Sequence, residues 1–284
     1  MRWHQAVGSG EDAGRRLGIV GAGKIGTTIA RAAIAGGYEV AISGSGPAER
    51  IALIVDVLAP GAQALSTEEV VRFADLIVLA VPMHRFRDLS HDLFAGKILV
   101  DAMNYWEEID GLQTDIATAP AGTSVLVQEW FSSARVVKSL NHLGYFKFEK
   151  SRLSRGTPGR LAMAAAGDDR AAVAAVLELI DRLGFDAVDG GGLQAGFALE
   201  PGGPVFGVGH SAEELSKLLS GQKRRGRMSR TEPRLRPVGE RPSPGTFGKD
   251  RDEIHDHDVW GPGRNPGEPD PGVDHEHARV HDEA

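Results

Sequence analysis

Three glycines at a fixed spacing carry the clearest chemistry in this chain. Gly21-Ala22-Gly23-Lys24-Ile25-Gly26 follows a short apolar run, 17–20, and precedes a helical pattern of small residues. A buried strand that turns sharply into a helix aims the unpaired N–H groups of the helix N-terminus at a phosphate. Gly21 serves the tight turn, Gly23 lets backbone approach a pyrophosphate, and Gly26 lets the helix pack close to the strand. A second strand pattern, 39–43, lies at the distance a dinucleotide-binding unit requires. The Gly-Lys-Ser/Thr ending of a mononucleotide P-loop is absent, because Ile25 follows Lys24. The ligand expected is a dinucleotide.

The residues after the second strand select the kind of dinucleotide. They read Ile42-Ser43-Gly44-Ser45-Gly46-Pro47, with no acid before Glu49. A carboxylate there holds the ribose hydroxyls of NAD and repels a 2′-phosphate, so its absence favours NADP. Ser43 and Ser45 are the candidate hydroxyl donors, and Arg50 is the nearest cation. Plain turn chemistry is the alternative for all three.

Ala80-Val81-Pro82-Met83-His84 ends the most apolar strand, 75–81. Ligands of open α/β sheets lie outside the carboxyl ends of the strands, so Ala80, Val81 and Pro82 are expected beside the nicotinamide ribose. His84 reads equally as a ligand contact or a helix-surface histidine. Asn104 and Asn141 end the next two strands on the same edge. Each is a candidate to hydrogen-bond the nicotinamide amide or a substrate, with a turn role as the alternative. No Ser/His/Asp set, paired carboxylate or metal-ligand cluster emerges from the core pattern, and no catalytic residue is assigned. Hydride transfer between two cofactors needs alignment more than an acid or base, whereas reducing a carbonyl or imine needs a proton donor.

These residues require elements to hold them. Apolar runs alternate with helical stretches: strands at 17–20, 39–43, 62–65, 75–81, 97–101 and 135–139, then 160–166 and 185–189. Helices are expected over 24–35, from Pro47 to 58, after Ser66 or Thr67, from Pro82 to about 94, and over 122–133, 168–183 and 212–220. This alternation implies an α/β fold, a doubly wound and mostly parallel Rossmann sheet with a small C-terminal segment. Four parts follow: a loose extension at 1–16, a dinucleotide-binding domain at 17–150, a C-terminal α/β part at 151–220 completing sheet and cleft, and a tail at 221–284. The tail holds seven Ile, Leu, Val or Phe in 64 residues and eight of the 15 prolines, so it reads as disordered. Its five histidines read as solvated low complexity.

Bulk properties exclude several classes. Net charge is −7 over 284 residues, which argues against general nucleic-acid binding. The absence of cysteine excludes disulfides and thiolate chemistry and fits a reducing cytoplasm. No apolar run has the length of a membrane span. Fewer than 35 core residues follow the last strand, so a second reactant is expected against the sheet's own edge and the segment 193–207, with a homodimer expected because that cleft is thinly walled.

The chain resembles the NADP oxidoreductases that act on the deazaflavin coenzyme F420. The resemblance runs from about 17 to 206. It rests on Gly21 to Gly26, Ala80-Val81-Pro82, Val100-Asp101-Ala102-Met103-Asn104-Tyr105-Trp106, Val136-Val137-Lys138-Ser139-Leu140-Asn141, Ala166-Gly167-Asp168-Asp169, Leu183-Gly184-Phe185-Asp186-Ala187-Val188-Asp189 and Leu199-Glu200-Pro201. It implies NADPH along the glycine loop and the loop after the second strand, with coenzyme F420 as second substrate near the nicotinamide. Relatives carry Ser-Arg after that strand, the Arg on the 2′-phosphate; here Gly46 follows Ser45, and Arg50 is the substitute. The function expected is hydride transfer between NADP(H) and a deazaflavin or flavin-like acceptor. The alternatives are a non-enzymatic NADP(H) sensor or scaffold and a reductase of a small carbonyl or imine.

Overall fold

A computed structural model describes residues 15–228, with side chains to 221. The extension up to residue 14 and the tail from 229, with its histidines, lie outside the described residues. The strands are β1 (Arg16–Val20), β2 (Glu39–Ser43), β3 (Gln63–Ala64), β4 (Leu76–Leu79), β5 (Ile98–Asp101), β6 (Arg135–Lys138), β7 (Ala162–Gly167) and β8 (Asp186–Gly191). They form one eight-stranded sheet in the order β3-β2-β1-β4-β5-β6-β7-β8. The helices are α1 (Lys24–Ala35), α2 (Glu49–Leu58), α3 (Thr67–Phe73), α4 (Glu107–Asp110), α5 (Thr114–Ala117), α6 (Thr123–Trp130), α7 (Tyr145–Lys150), α8 (Arg170–Arg182) and α9 (Ala212–Met228).

The strands are apolar on both faces because helices cover both. Leu17, Ile19, Val78 and Val100 face one core with α1 and α8, while Val20, Ile77, Leu79 and Leu99 face the other with α3 and α6. Chain order reverses between β1 and β4: the chain runs outward through β2 and β3, then returns to β4 on the far side of β1. That switch point opens a crevice at the carboxyl ends of β1 and β4, where the glycine loop begins. All neighbours pair in parallel except β6 with β7, where Val137 and Lys138 oppose Gly167 and Ala166. The C-terminal part thus extends the same sheet with its direction reversed.

The structure corrects two expectations, adds three short helices and resolves one alternative. Residues 83–94 form two 3₁₀ turns, Met83–Asp88 and His91–Phe94, in place of one α-helix. Met83 and Phe86 are both fully buried, and their spacing of three matches the three residues per turn of a 3₁₀ helix. The short helices α4, α5 and α7 have no counterpart in the sequence reading; at four to six residues they carry too few turns for a periodic signal. The last helix continues to Met228, eight residues beyond the expected end at 220 and into the segment read as tail. Finally, Ser66 and not Thr67 caps α3, through a reciprocal capping box with Glu69.

Two buried polar groups hold the β5–β6 side together. Lys138 and Asp101 are both fully buried, 3.3 Å apart. Lys138 Nζ also donates to the Met103 carbonyl at 2.6 Å, and Asp101 accepts from Ser124 Oγ at 2.6 Å and Met103 N at 3.0 Å. His142 is buried beside them, and its carbonyl accepts from Gly207 N at 2.9 Å. Burial above all, with His210 and Lys138 nearby, pushes its imidazole down to about 4.

Lys138→Met should cost on the order of 3–5 kcal/mol in urea denaturation, because it strands the Asp101 carboxylate. Asp101→Asn in the same chain should recover part of that loss. His142 gives a pH signature. Its folded value lies below the unfolded one of 6.5, so the neutral form is favoured by folding and the group contributes nothing above that pH. Stability should fall as pH drops from 6.5 to about 4, by about 3 kcal/mol at most from this group. His142→Leu should remove that part of the slope; an unchanged slope would assign it elsewhere.

Candidate active site

The carboxyl edge of the sheet gathers the loops after β1, β2, β4, β5 and β6. At two glycines of the loop the backbone has no room for a side chain. Gly21 has φ +124°, and a Cβ there would stand 2.3 Å from the Ala80 carbonyl oxygen. A Cβ on Gly26 would stand 1.9 Å from the Gly21 carbonyl oxygen. Gly21 N donates to Ser43 O at 2.8 Å and Ala80 N to Val20 O at 2.8 Å, so β1, β2 and β4 are locked at this level. Around Gly23 the space is open: nothing lies within 4 Å of where its Cβ would be. Gly23 caps α1 without any side-chain bond, and no acid occupies the first turn. The first N–H groups of α1 therefore remain available to an anion. Ala22 and Ile25 are half-buried, and Lys24 is exposed with its ammonium 5.3 Å from the Tyr145 ring centre.

After β2 the two serines separate. Ser45 is exposed, as a ligand donor must be. Ser43 is fully buried, and its hydroxyl takes a 3.2 Å hydrogen bond from Thr67 Oγ1. It secures α3 to the sheet and is withdrawn as a direct cofactor donor. Arg50 is exposed on the first turn of α2 and folds over the loop, its Nη1 3.2 Å from where a Gly46 Cβ would stand. The cation and Ser45 thus share the β2 loop.

Beyond β4, Ala80 is nearly buried, Val81 half-buried and Pro82 exposed. Asn104 and Asn141 meet across the ends of β5 and β6. Asn104 Nδ2 donates to Asn141 O at 2.9 Å, and Asn141 Nδ2 donates to Asn104 Oδ1 at 3.0 Å and Leu199 O at 2.7 Å. Those bonds fix the Asn141 amide and leave its Oδ1 buried without a protein donor. Leu140, buried at φ +62°, turns the chain into this arrangement. The two asparagines therefore bind each other first, and Asn141 is fully buried, so its unpartnered Oδ1 faces protein and Asn141 is withdrawn as a direct cofactor contact.

Three contacts had no sequence signal. Asp110, buried in α4, accepts from His84 N at 3.0 Å, His84 Nδ1 at 2.8 Å and Trp106 N at 2.8 Å. The Trp106 ring packs edge-on against Phe206, with centroids 5.8 Å apart. Glu200 accepts from Thr123 N and Oγ1 at 2.8 and 2.9 Å, which ties the C-terminal segment to the start of α6. Each joins residues far apart in sequence or on an element too short to be periodic. Among the described residues, no group of three or more His, Asp or Glu side chains forms a metal cluster. No described helix is long and apolar enough to cross a membrane.

No curated protein sequence matches the chain. Among solved structures, it is similar to a hypothetical protein, SMa0349, from Sinorhizobium meliloti. The two are 25% identical with a TM-score of 0.61, over 71% of this chain and 97% of that one. It is also similar in fold to a protein from Arthrobacter sp. FB24 proposed to be an F420-dependent NADP reductase. There the identity is 24% and the TM-score 0.54, over 76% and 96% of the two chains. The segment with the glycine loop, the β2 loop, Pro82 and Asn104 matches at the level of family: residues 16–105 match the model of the family described as NADP oxidoreductase, coenzyme F420-dependent, the one its motifs resemble.

Proposed function

We propose that the chain is an NADPH-dependent oxidoreductase that moves hydride between NADP(H) and a deazaflavin such as coenzyme F420. The observation that carries this reading is the glycine cradle at the β1–β4 switch point, inside the segment matched to that family. The family match supports an NADP-dependent oxidoreductase; the deazaflavin is the finer step proposed here. The residues fit the cofactor. The pyrophosphate fits the open side of Gly23 at the uncapped start of α1, held by backbone N–H groups. The adenosine phosphate falls to Ser45 and Arg50, with no carboxylate on the loop between Ser43 and Ala48 to repel it. When bound, NADPH supplies a hydrogen together with the electron pair of its nicotinamide C4–H bond.

The acceptor side is apolar and aromatic. Trp106 and Phe206 form an edge-on pair, and Phe197 stands 57% exposed on the C-terminal segment. Planar ring systems favour such walls. The same wall admits a cyclic imine, and the His84–Asp110 pair favours that second reading because an imine nitrogen requires a proton.

Two measurements test the reading. Deazaflavin absorbance followed with NADPH should show reduction by the purified protein. Tight NADPH binding with no reduction of a deazaflavin or a cyclic imine would favour a sensor and overturn the enzyme. Arg50→Ala should weaken NADPH binding about 10- to 100-fold, the range of a charge-assisted phosphate bond, while leaving NADH binding unchanged. An unaltered NADPH preference would remove Arg50 from the phosphate site.

A further inference from the structure

His84 stands on the first turn after Pro82, at the carboxyl end of β4 and beside the switch point. Its Nδ1 lies 2.8 Å from Asp110 Oδ1, which also accepts from its backbone N–H. Asp110 Oδ2 is held by Trp106 N, so the carboxylate cannot rotate away. An oxygen that already accepts one N–H acts as an acceptor toward the ring as well, which fixes the tautomer: Nδ1 carries a proton and donates. The Asp110 side chain is 1% exposed and that of His84 32%. Nε2 has no partner among the described residues. The same carboxylate also anchors Trp106, whose ring forms the aromatic wall with Phe206. A titratable nitrogen and a ring platform are thus tied to one buried acid.

Two neighbouring arginines are already paired, while Glu107 and Glu108 of α4 are the other acids beside Asp110. Arg85 pairs with Asp88 on the same turn at 2.5 Å, and Arg87 pairs with Asp115 of α5 at 2.6 Å. Asp110 is the charged group in direct contact with the imidazole. A buried carboxylate on Nδ1 fixes the ring and aims its outer nitrogen, the arrangement of a general acid–base histidine.

We propose that His84 is the proton donor of this site, positioned by Asp110, and that the acceptor is one that takes hydride at carbon and a proton at an adjoining conjugated heteroatom. This rests on the reading of the protein as an NADPH-dependent oxidoreductase. Hydride arriving at the acceptor's electrophilic carbon displaces the electron pair of its conjugated double bond onto nitrogen. The Nε2–H bond of His84 breaks, and its proton forms the N–H bond there. Neutral His84 then regains a proton from water. NADPH is oxidised and the acceptor reduced by two electrons. Asp110 remains ionised throughout and acts through His84 as a positioning residue.

His84→Asn separates this role from a structural one, since the Asn amide reaches Asp110 much as Nδ1 does but carries no transferable proton. The variant should keep the thermal midpoint and the NADPH affinity while kcat for deazaflavin reduction falls roughly 10²–10⁴-fold. The dependence of kcat on pH that a proton donor imposes on the wild type should disappear. ¹⁵N NMR supplies a readout independent of turnover: oxidised deazaflavin should move the His84 Nε2 resonance of the NADP⁺-bound wild type. A variant with wild-type kcat and pH profile, or an unmoved resonance at saturating acceptor, overturns the role of His84 and leaves the oxidoreductase reading standing. Failure of the wild type to reduce either a deazaflavin or a cyclic imine overturns both.

Discussion

Everything on the reactive edge depends on how closely three backbone segments meet at Gly21. The turn after β1 passes so near the end of β4 that a single Cβ would overlap the Ala80 carbonyl, and α1 starts so close behind it that Gly26 meets the Gly21 carbonyl. No side chain can be accommodated by rotamer change when the opposing atom is backbone. In return, the start of α1 lies directly over the crevice between β1 and β4. The field of the helix N-terminus and its free N–H groups then act on the same small volume. A looser turn would keep the sheet but lose that convergence.

The far side of the cleft is built on a different principle. The β5 and β6 ends are joined by buried polar contacts: Asp101 with Lys138, and Asn104 with Asn141. Such groups are costly to desolvate, and they hold because each makes several bonds at once. They define geometry sharply, since any displacement leaves a buried charge or amide unpaired. The reversed strand β7 and the segment up to Glu200 close over this layer, with Leu199 O accepting from Asn141 and Glu200 capping α6. Among the described residues, the short C-terminal part thereby closes this edge of the sheet without a separate helical domain.

The elements most legible in the sequence are those with enough length to be periodic. α1 and β2 appear with the bounds expected, and β1, β4, β5 and β6 differ by one or two residues at their ends, because buried parallel strands must be apolar on both faces. The turns at 83–94 were illegible as 3₁₀ helices because Pro82 is an equally good start for an α-helix. The spacing of Met83 and Phe86 distinguishes the two only once both are known to be buried. Ser43 shows the same limit. Its type and position suit a ribose contact, and only the packing of α3 reveals that its hydroxyl faces Thr67.

The sequence by itself determined the glycine loop, the absence of an acid after β2, and the order of strands and helices. These are local properties: backbone freedom, charge and hydrophobic period are written in consecutive residues. Only the tertiary structure decided which polar side chains meet. His84 and Asp110 are 26 residues apart, Asn104 and Asn141 37, and Thr123 and Glu200 77. The chemistry of one histidine nitrogen depends on a carboxylate brought to it by the packing of the loop after β5, and no spacing rule along the chain encodes that meeting. The glycines state where a dinucleotide fits, and the long-range contacts state which side chains stand beside it.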